Sequence, residues 1–215
     1  MTRIIAGEAR GRKLVAPKGV DTRPTTDRAK EALFSSWTTR FGLEGTTVLD
    51  LFAGSGALGL EAASRGAKQV VLVEADPKAV AAIEKNMATV GHPRTSVVTM
   101  KVSQYLASAP LPRFDRVIAD PPYELAGEAV TEMLEQLRAY LSDGAVVTIE
   151  RHRDDAETQW PDGFEPLVQK LKRRIHGIAR FDTAIFTAAA ASAASADAAE
   201  SAASAASADE EKDFS

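Results

Sequence analysis

Two stretches of the 215-residue sequence combine residue types and spacings that could do chemistry. The first is Leu49-Asp50-Leu51-Phe52-Ala53-Gly54-Ser55-Gly56-Ala57-Leu58-Gly59, and the second is Asp120-Pro121-Pro122-Tyr123. In the first, glycines let the backbone turn tightly and let a ligand approach it closely. Taken alone, Gly54 to Gly59 fits a dinucleotide fingerprint, with Glu74 placed where an acidic residue holds ribose hydroxyls. An NAD-dependent oxidoreductase is therefore one reading. Asp50 favours another, because a carboxylate in the loop ahead of the glycines would repel an anionic pyrophosphate. S-adenosylmethionine instead carries an ammonium and a sulfonium and no phosphate. On this reading Asp50 lies near the methionine part, Glu74 bonds the ribose, Ala75 and Asp76 lie beside the adenine, and Phe52, Ala53, Gly54, Ser55 and Gly56 complete the cofactor-binding set.

In the second stretch, two successive prolines fix two φ angles and withdraw two backbone donors. The carbonyls of Asp120 and Pro121 and the Asp120 carboxylate then act as acceptors without local amides competing. Such a set suits the exocyclic amine of a nucleic-acid base, a poor nucleophile whose lone pair is delocalised into the ring. Acceptors around it favour the ammonium that develops during in-line attack on a sulfonium methyl, while Pro122 stiffens the turn and Tyr123 stacks on the base. No covalent intermediate is needed. That agrees with the absence of cysteine, the nucleophile that C5-methylation of a pyrimidine would require. Without cysteine there is also no disulfide and no thiolate zinc site, and His92, His152 and His176 are too far apart in sequence for a local motif, so no metal is expected.

The elements that must position these groups follow from periodicity. Runs at Thr47 to Phe52, Gln69 to Glu74, Ser96 to Lys101, Asp115 to Ala119 and Ala145 to Glu150 are strand-like and alternate with helix-length amphipathic segments. This is the α/β pattern of a mostly parallel, Rossmann-like sheet with helices on both faces. Asp76-Pro77 reads as an N-cap with proline in the first turn, after which Val80, Ile83, Met87 and Val90 share one helical face. Val130, Met133, Leu134, Leu137 and Leu141 make a second stripe, ended by an Asp143-Gly144 turn. Thr26 to Phe41 reads as a helix with Leu33, Trp37 and Phe41 inward. Ahead of it, Arg3 to Ala6 and Arg12 to Ala16 form a small hairpin around Gly7 to Gly11. Pro166 to Ile175 and Arg180 to Thr187 are expected as an antiparallel hairpin at the sheet edge.

The net charge of -4 is unevenly distributed. Residues 1 to 40 hold nine Lys or Arg against four acidic residues, residues 41 to 187 hold sixteen against twenty, and residues 188 to 215 hold one against six. A basic beginning suits a polyanionic partner. Three parts are thus expected: an extension over 1–40, a catalytic domain over 41–187 and an Ala/Ser-rich acidic tail over 188–215 with no core to join. No apolar run approaches the ~20 residues of a membrane span and no signal-peptide pattern opens the sequence, so a cytoplasmic protein is expected, without a membrane partner. A monomer is the default.

Four blocks carry a narrower likeness: Arg3-Ile4-Ile5-Ala6-Gly7 with Gly11-Arg12-Lys13-Leu14, Arg23-Pro24-Thr25-Thr26-Asp27-Arg28 leading to Glu31-Ala32-Leu33-Phe34, Asp50 to Leu60, and Asp120 to Tyr123. Over residues 1 to 187 the sequence resembles class I methyltransferases, and within them the RsmD family of bacterial small-subunit ribosomal RNA guanine-N2 methyltransferases. The resemblance implies transfer of a methyl group from S-adenosylmethionine to N2 of one guanine in 16S ribosomal RNA, within an assembling small subunit. It also implies an N-terminal RNA contact, with Arg3, Arg10, Arg12, Lys13, Arg23, Thr25 and Arg28 as phosphate-binding candidates. An adenine-N6 methyltransferase on DNA or RNA would use the same tetrad and stays open. One departure is Lys101-Val102, where the superfamily often places an acidic or amide side chain beside the adenine; the Val102 amide is the remaining candidate. Lys170, Lys172, Arg173, Arg174 and Arg180 could add phosphate contacts from the terminal hairpin.

Overall fold

Side chains of a strand buried on both faces alternate between two cores, so its sequence reads as a nearly continuous apolar run. Val70 to Val73 and Val117 to Ala119 are such runs. The computed structural model describes residues 2–17, 26–108, 113–169 and 174–189. In chain order it contains β1 (Thr2–Arg3), β2 (Lys13–Leu14), α1 (Asp27–Arg40), β3 (Thr47–Leu51), α2 (Ala57–Ser64), β4 (Gln69–Glu74), α3 (Pro77–Val90), β5 (Thr95–Thr99), α4 (Val102–Leu106), β6 (Phe114–Ala119), α5 (Gly127–Leu137), β7 (Leu141–His152), β8 (Phe164–Pro166), β9 (Ile175–His176) and β10 (Ala179–Phe186).

The main sheet runs β5-β4-β3-β6-β7-β10-β8, with β9 also paired to β10. Strands β3 to β7 are mutually parallel, and β10 is antiparallel to β7, β8 and β9. This is the expected Rossmann-like α/β architecture. On one face Val48, Leu72, Ile118 and Val146 pack with Leu33 and Trp37 of α1, Leu60 of α2 and Ile83 of α3. On the other, Leu51, Val73, Val117 and Val147 pack with Leu106 of α4 and with Met133, Leu134 and Leu137 of α5. The strand order reverses between β3 and β6, and the crevice outside the carboxyl ends of strands at such a reversal is where open α/β sheets bind ligands.

Several expectations shift. β5 ends at Thr99, and Lys101 becomes the N-cap of the short helix α4, which the periodicity did not reveal. Leu141 closes no helical stripe; it begins β7 after a 3-10 turn over Arg138–Tyr140. Asp143-Gly144 is a bulge inside β7, where the register to β6 slips and Gly144 takes φ +77°. The terminal hairpin is also different, because β10 pairs with β7 from Ala179–His152 to Ile185–Val146 and β8 and β9 are separate short partners on its other side. Among the described residues no helix is long and apolar enough to cross a membrane. From residue 190 the Ala/Ser-rich tail lies outside the described residues, as do Arg23 and Thr25.

The N-terminal hairpin has only two ladder pairs and depends on anchors from the domain beneath it. Glu61 of α2, fully buried, accepts from the backbone amides of Ile5 (2.8 Å) and Ala6 (3.0 Å) and from Arg65 Nε (2.7 Å). Ser64 Oγ accepts from the Ala9 amide (2.9 Å) and donates to the Ala6 carbonyl (2.6 Å). Gly7, at φ +83°, is required at this contact, since a Cβ there would lie 1.7 Å from the Ser64 carbonyl oxygen. Lys30 of α1, also fully buried, donates to the Arg3 carbonyl at 2.6 Å and lies 4.0 Å from Glu61. Burial pulls its pKa down, against the pull of Glu61 and Asp27.

Candidate active site

β3 brings Asp50 and Leu51 to the carboxyl edge, and the chain reverses through Phe52 to Gly56 into α2. Phe52 takes φ +61°, a left-handed conformation that costs a bulky residue about 1–3 kcal/mol and that clusters at functional loops. Gly54 (φ +57°) and Gly56 (φ +75°) complete the reversal without that cost. The Ala53 amide donates to the Val73 carbonyl at 3.0 Å, and the Gly56 amide to the Ala53 carbonyl at 2.7 Å. Gly59 serves close packing instead, because a Cβ there would meet Leu72 Cδ2 at 2.5 Å and Asp50 Oδ2 at 3.0 Å.

Asp50, expected in the loop, lies inside β3 and is 1% exposed. Its Oδ2 accepts from the Gly59 amide at 2.8 Å, and its Oδ1 is buried without a partner. Burial pushes its pKa up to about 8; the Gly59 hydrogen bond opposes this, and the charges of Asp120 and Glu74 add to it. Glu74 ends β4 and is better supplied. Its Oε2 accepts from the Gly54 amide (2.7 Å), and its Oε1 from the amides of Ala75 (2.8 Å) and Asp76 (2.9 Å). The carboxylate thus ties the glycine loop to the start of α3, where Asp76 caps the helix through Lys78 N–H. Oε2, with a single donor, keeps a lone pair for a ligand hydroxyl, whereas the two amides occupy both lone pairs of Oε1.

Beside Glu74 opens a cavity of about 320 Å³, lined by Phe52, Val73, Glu74, Ala75, Met100, Lys101 and Val102 from the strand ends and by Ala129, Glu132, Met133 and Gln136 from α5. Such a mostly apolar cleft with a carboxylate at its rim suits a nucleoside. Four expected residues line it: Phe52, Glu74, Ala75 and Val102. Asp50, Ala53, Gly54, Ser55, Gly56 and Asp76 lie outside the lining, in β3, the glycine loop and the α3 cap. The sequence reading missed the α5 wall, because the stripe explained Met133 as core and left its polar neighbours Glu132 and Gln136 without a role. Lys101 lines the cavity together with Val102.

Asp120 follows β6, and its amide donates to the Leu51 carbonyl at 3.2 Å, so the tetrad begins beside the glycine loop. Burial pushes the Asp120 pKa up to about 7. Pro121 is buried, Pro122 exposed, and the Pro122 carbonyl accepts from the Leu125 amide at 2.9 Å, which closes the turn. The Tyr123 ring meets the His152 ring edge-on, centroids 5.3 Å apart. His152 ends β7, and its Nδ1 accepts from the Asp154 amide at 3.3 Å. No local motif marks His152 in the sequence; only the β6–β7 pairing brings it to the tetrad.

The profile of the family described as "Conserved hypothetical protein 95" matches residues 2–181. The chain is 39% identical over 148 residues to "Ribosomal RNA small subunit methyltransferase D" of Escherichia coli, covering 69% of this chain and 73% of that protein. The chain belongs to this RsmD methyltransferase family. It is also 34% identical over 174 residues to "Putative rRNA methyltransferase YlbH" of Bacillus subtilis, covering 79% of this chain and 91% of that protein. Among solved structures, "Putative methyltransferase yhhF" from Escherichia coli superposes with a TM-score of 0.74 at 31% identity, covering 86% of this chain and 98% of that one.

In this RsmD-family chain the basic candidates fall into distinct situations. Arg10, Lys13 and Arg28 are exposed. Arg3 is exposed and donates to Asp27 at 3.2 Å. Arg12 donates through one terminal nitrogen to the Val90 carbonyl at 2.8 Å and to the Thr89 carbonyl, so that part of its guanidinium closes the C-terminus of α3. At the other end of the chain, the expected phosphate ligands Arg174 and Arg180 are occupied internally. Arg180 is 2% exposed and donates to Asp182 and to the carbonyls of Asp155 (2.7 Å) and Ala156 (2.7 Å), while Arg174 bonds Asp182 (2.9 Å) and Glu157 (2.6 Å). Burial and carboxylate pairing at β10 take up the Arg180 guanidinium, whereas Arg174 shares itself between buried Asp182 and exposed Glu157. Lys170, Lys172 and Arg173 lie outside the described residues.

Proposed function

We propose that this chain transfers a methyl group from S-adenosylmethionine to the exocyclic N2 of a guanine in 16S ribosomal RNA of an assembling small subunit. The observation that carries the cofactor reading is the partnerless, buried Oδ1 of Asp50 at the base of the glycine loop. A buried acceptor without a donor is uncommon and calls for a ligand group, and an ammonium fits it while a pyrophosphate does not. Glu74 would hold the ribose hydroxyls. The cavity walls, with Phe52 and Val102, would enclose the adenine, and Ala53 to Gly56 would frame the methionine part. When bound, the cofactor supplies an electrophilic methyl on sulfur.

The chain's own residues do the rest by position and charge. Asp120 and the Pro121 carbonyl orient the amine and accept its hydrogens, and Tyr123, braced by His152, holds the base that has left its stack. Ionised Asp120 is the form that stabilises the developing ammonium. Arg3, Arg10, Lys13 and Arg28, with Arg23 and Thr25, give the extension over 1–40 its phosphate contacts, beside the methyltransferase unit over 41–187. The names of the relatives support ribosomal RNA as the polymer.

The test is transfer of a labelled methyl to undermodified small subunits, free 16S RNA and duplex DNA, followed by nucleoside analysis. N2-methylguanosine from the subunits is the expected product. N6-methyladenosine, or labelling of duplex DNA alone, would overturn the substrate. Tight NAD binding without S-adenosylhomocysteine binding would overturn the cofactor. Asp120→Ala should abolish transfer while leaving S-adenosylhomocysteine affinity within a few fold.

A further inference from the structure

Asn86 lies midway along α3, away from the cavity lining, and is 1% exposed. Its amide is fully engaged by two separate segments. Oδ1 accepts from the Val15 amide at 2.8 Å and Nδ2 donates to the Val15 carbonyl at 3.0 Å, so the side chain grips one residue just past β2 as a neighbouring strand would. The second Nδ2 hydrogen goes to the carbonyl of Ser55, in the glycine loop, at 2.8 Å. Because the Asn86 side chain itself is buried, a displacement of Ser55 and one of Val15 each break hydrogen bonds at the same side chain. A second linkage runs in parallel through α2, which Gly56 of the loop caps and which holds Ile5, Ala6 and Ala9 through Glu61 and Ser64.

We propose that Asn86 is a positioning residue that locks the glycine loop and the N-terminal hairpin into one unit, so that cofactor and nucleic acid bind cooperatively. This rests on the cofactor and RNA reading above. A hairpin with two ladder pairs takes its order from its anchors, and a ligand that fixes the loop fixes Ser55, Asn86 and Val15 in turn. RNA then meets a hairpin whose ordering cost has been met, and by linkage RNA must strengthen cofactor binding by the same factor.

The decisive measurement is the dissociation constant of S-adenosylhomocysteine for the full chain, by calorimetry, alone and with saturating undermodified small subunits. The wild-type chain should bind about fivefold or more tightly with subunits present. In Asn86→Ala this ratio should fall by at least half, the remainder being carried by α2, and KM for the RNA substrate should rise while kcat stays within a few fold. A purely structural role would lower Tm and leave the ratio intact, which would overturn the proposal. If Asn86→Ala does not fold, hydrogen exchange on the wild-type chain decides: S-adenosylhomocysteine should slow exchange at the amides of Ile5, Ala6 and Val15. Unchanged exchange there would overturn the proposal. Methyl transfer that proceeds with a wild-type ratio of one would sink the coupling alone, whereas failure of S-adenosylhomocysteine to bind would sink the functional reading itself.

Discussion

Two aspartates, one at the carboxyl end of β3 and one in β10, are almost equally buried, Asp50 at 1% and Asp182 at 2%. Their surroundings are opposite. Asp182 accepts from Arg174 NH1 (2.9 Å), from Nε (3.0 Å) and NH2 (2.9 Å) of Arg180 and from Thr158 Oγ1 (2.9 Å), so both of its oxygens are supplied. Asp50 receives a single amide and no cation. A carboxylate that only holds the fold together is surrounded by its donors. Asp50 is left short of them, and perturbed pKa values of this kind are enriched at functional sites. The Asp182 network closes the terminal strands, while Asp50 lies at the strand-order reversal.

The largest effect is expected at Asp182. Asp182→Ala leaves the charge of Arg180 buried without its carboxylate, and the expected loss is about 3–5 kcal/mol in urea unfolding. A loss under about 1 kcal/mol would mean that the pairing is ornamental. Asp50→Asn should behave inversely. It removes no ion pair, so stability should hold or rise, while S-adenosylhomocysteine affinity falls roughly ten- to a hundredfold, the worth of a hydrogen bond to a charged group. Equal losses of stability and affinity would erase the distinction between the two sites.

The same contrast has a pH signature. The fold raises the Asp50 pKa from 3.8 to about 8, so the native state holds a proton that the unfolded chain has released. The Asp50 contribution to stability is therefore full below about pH 4 and is lost as pH rises toward 8, a slope that Asp50→Asn should flatten in pH-dependent melting. An ammonium docked beside Asp50 would reverse the burial effect, so S-adenosylhomocysteine binding at neutral pH should release a proton, read by calorimetry in buffers of different ionisation enthalpy. The smallest effect is expected at the exposed cations. Lys13→Ala should weaken RNA binding across sequences and reduce the salt slope by about one, with no change in melting.

Much of the candidate site was legible because its parts are local. The glycine loop, Glu74 and the Asp120 tetrad are short motifs at the ends of apolar runs, and their placement follows from strand periodicity alone. The basic extension was legible as charge, but which charges stay free was not. Arg180 and Lys13 read alike in sequence, and only the folded chain places Asp182 under one and solvent beside the other. Lys101 was legible only as a departure from a pattern, whereas the structure puts it on the cavity wall.

The sequence alone carried the α/β architecture, the family, and the two motifs that end the adjacent strands β3 and β6. Each is encoded within a window of a dozen residues, where dihedral preference and hydrophobic period act directly. The packed fold alone settles that Asp50 is buried and short of a donor, that α5 walls the cavity beside Glu74, that His152 meets Tyr123, and that Asn86 joins the glycine loop to the hairpin. These contacts link residues from 9 positions apart, for Asp50 and Gly59, to 71 apart, for Val15 and Asn86. Burial and hydrogen-bond supply at such sites are properties of the packed interior, which no local window contains.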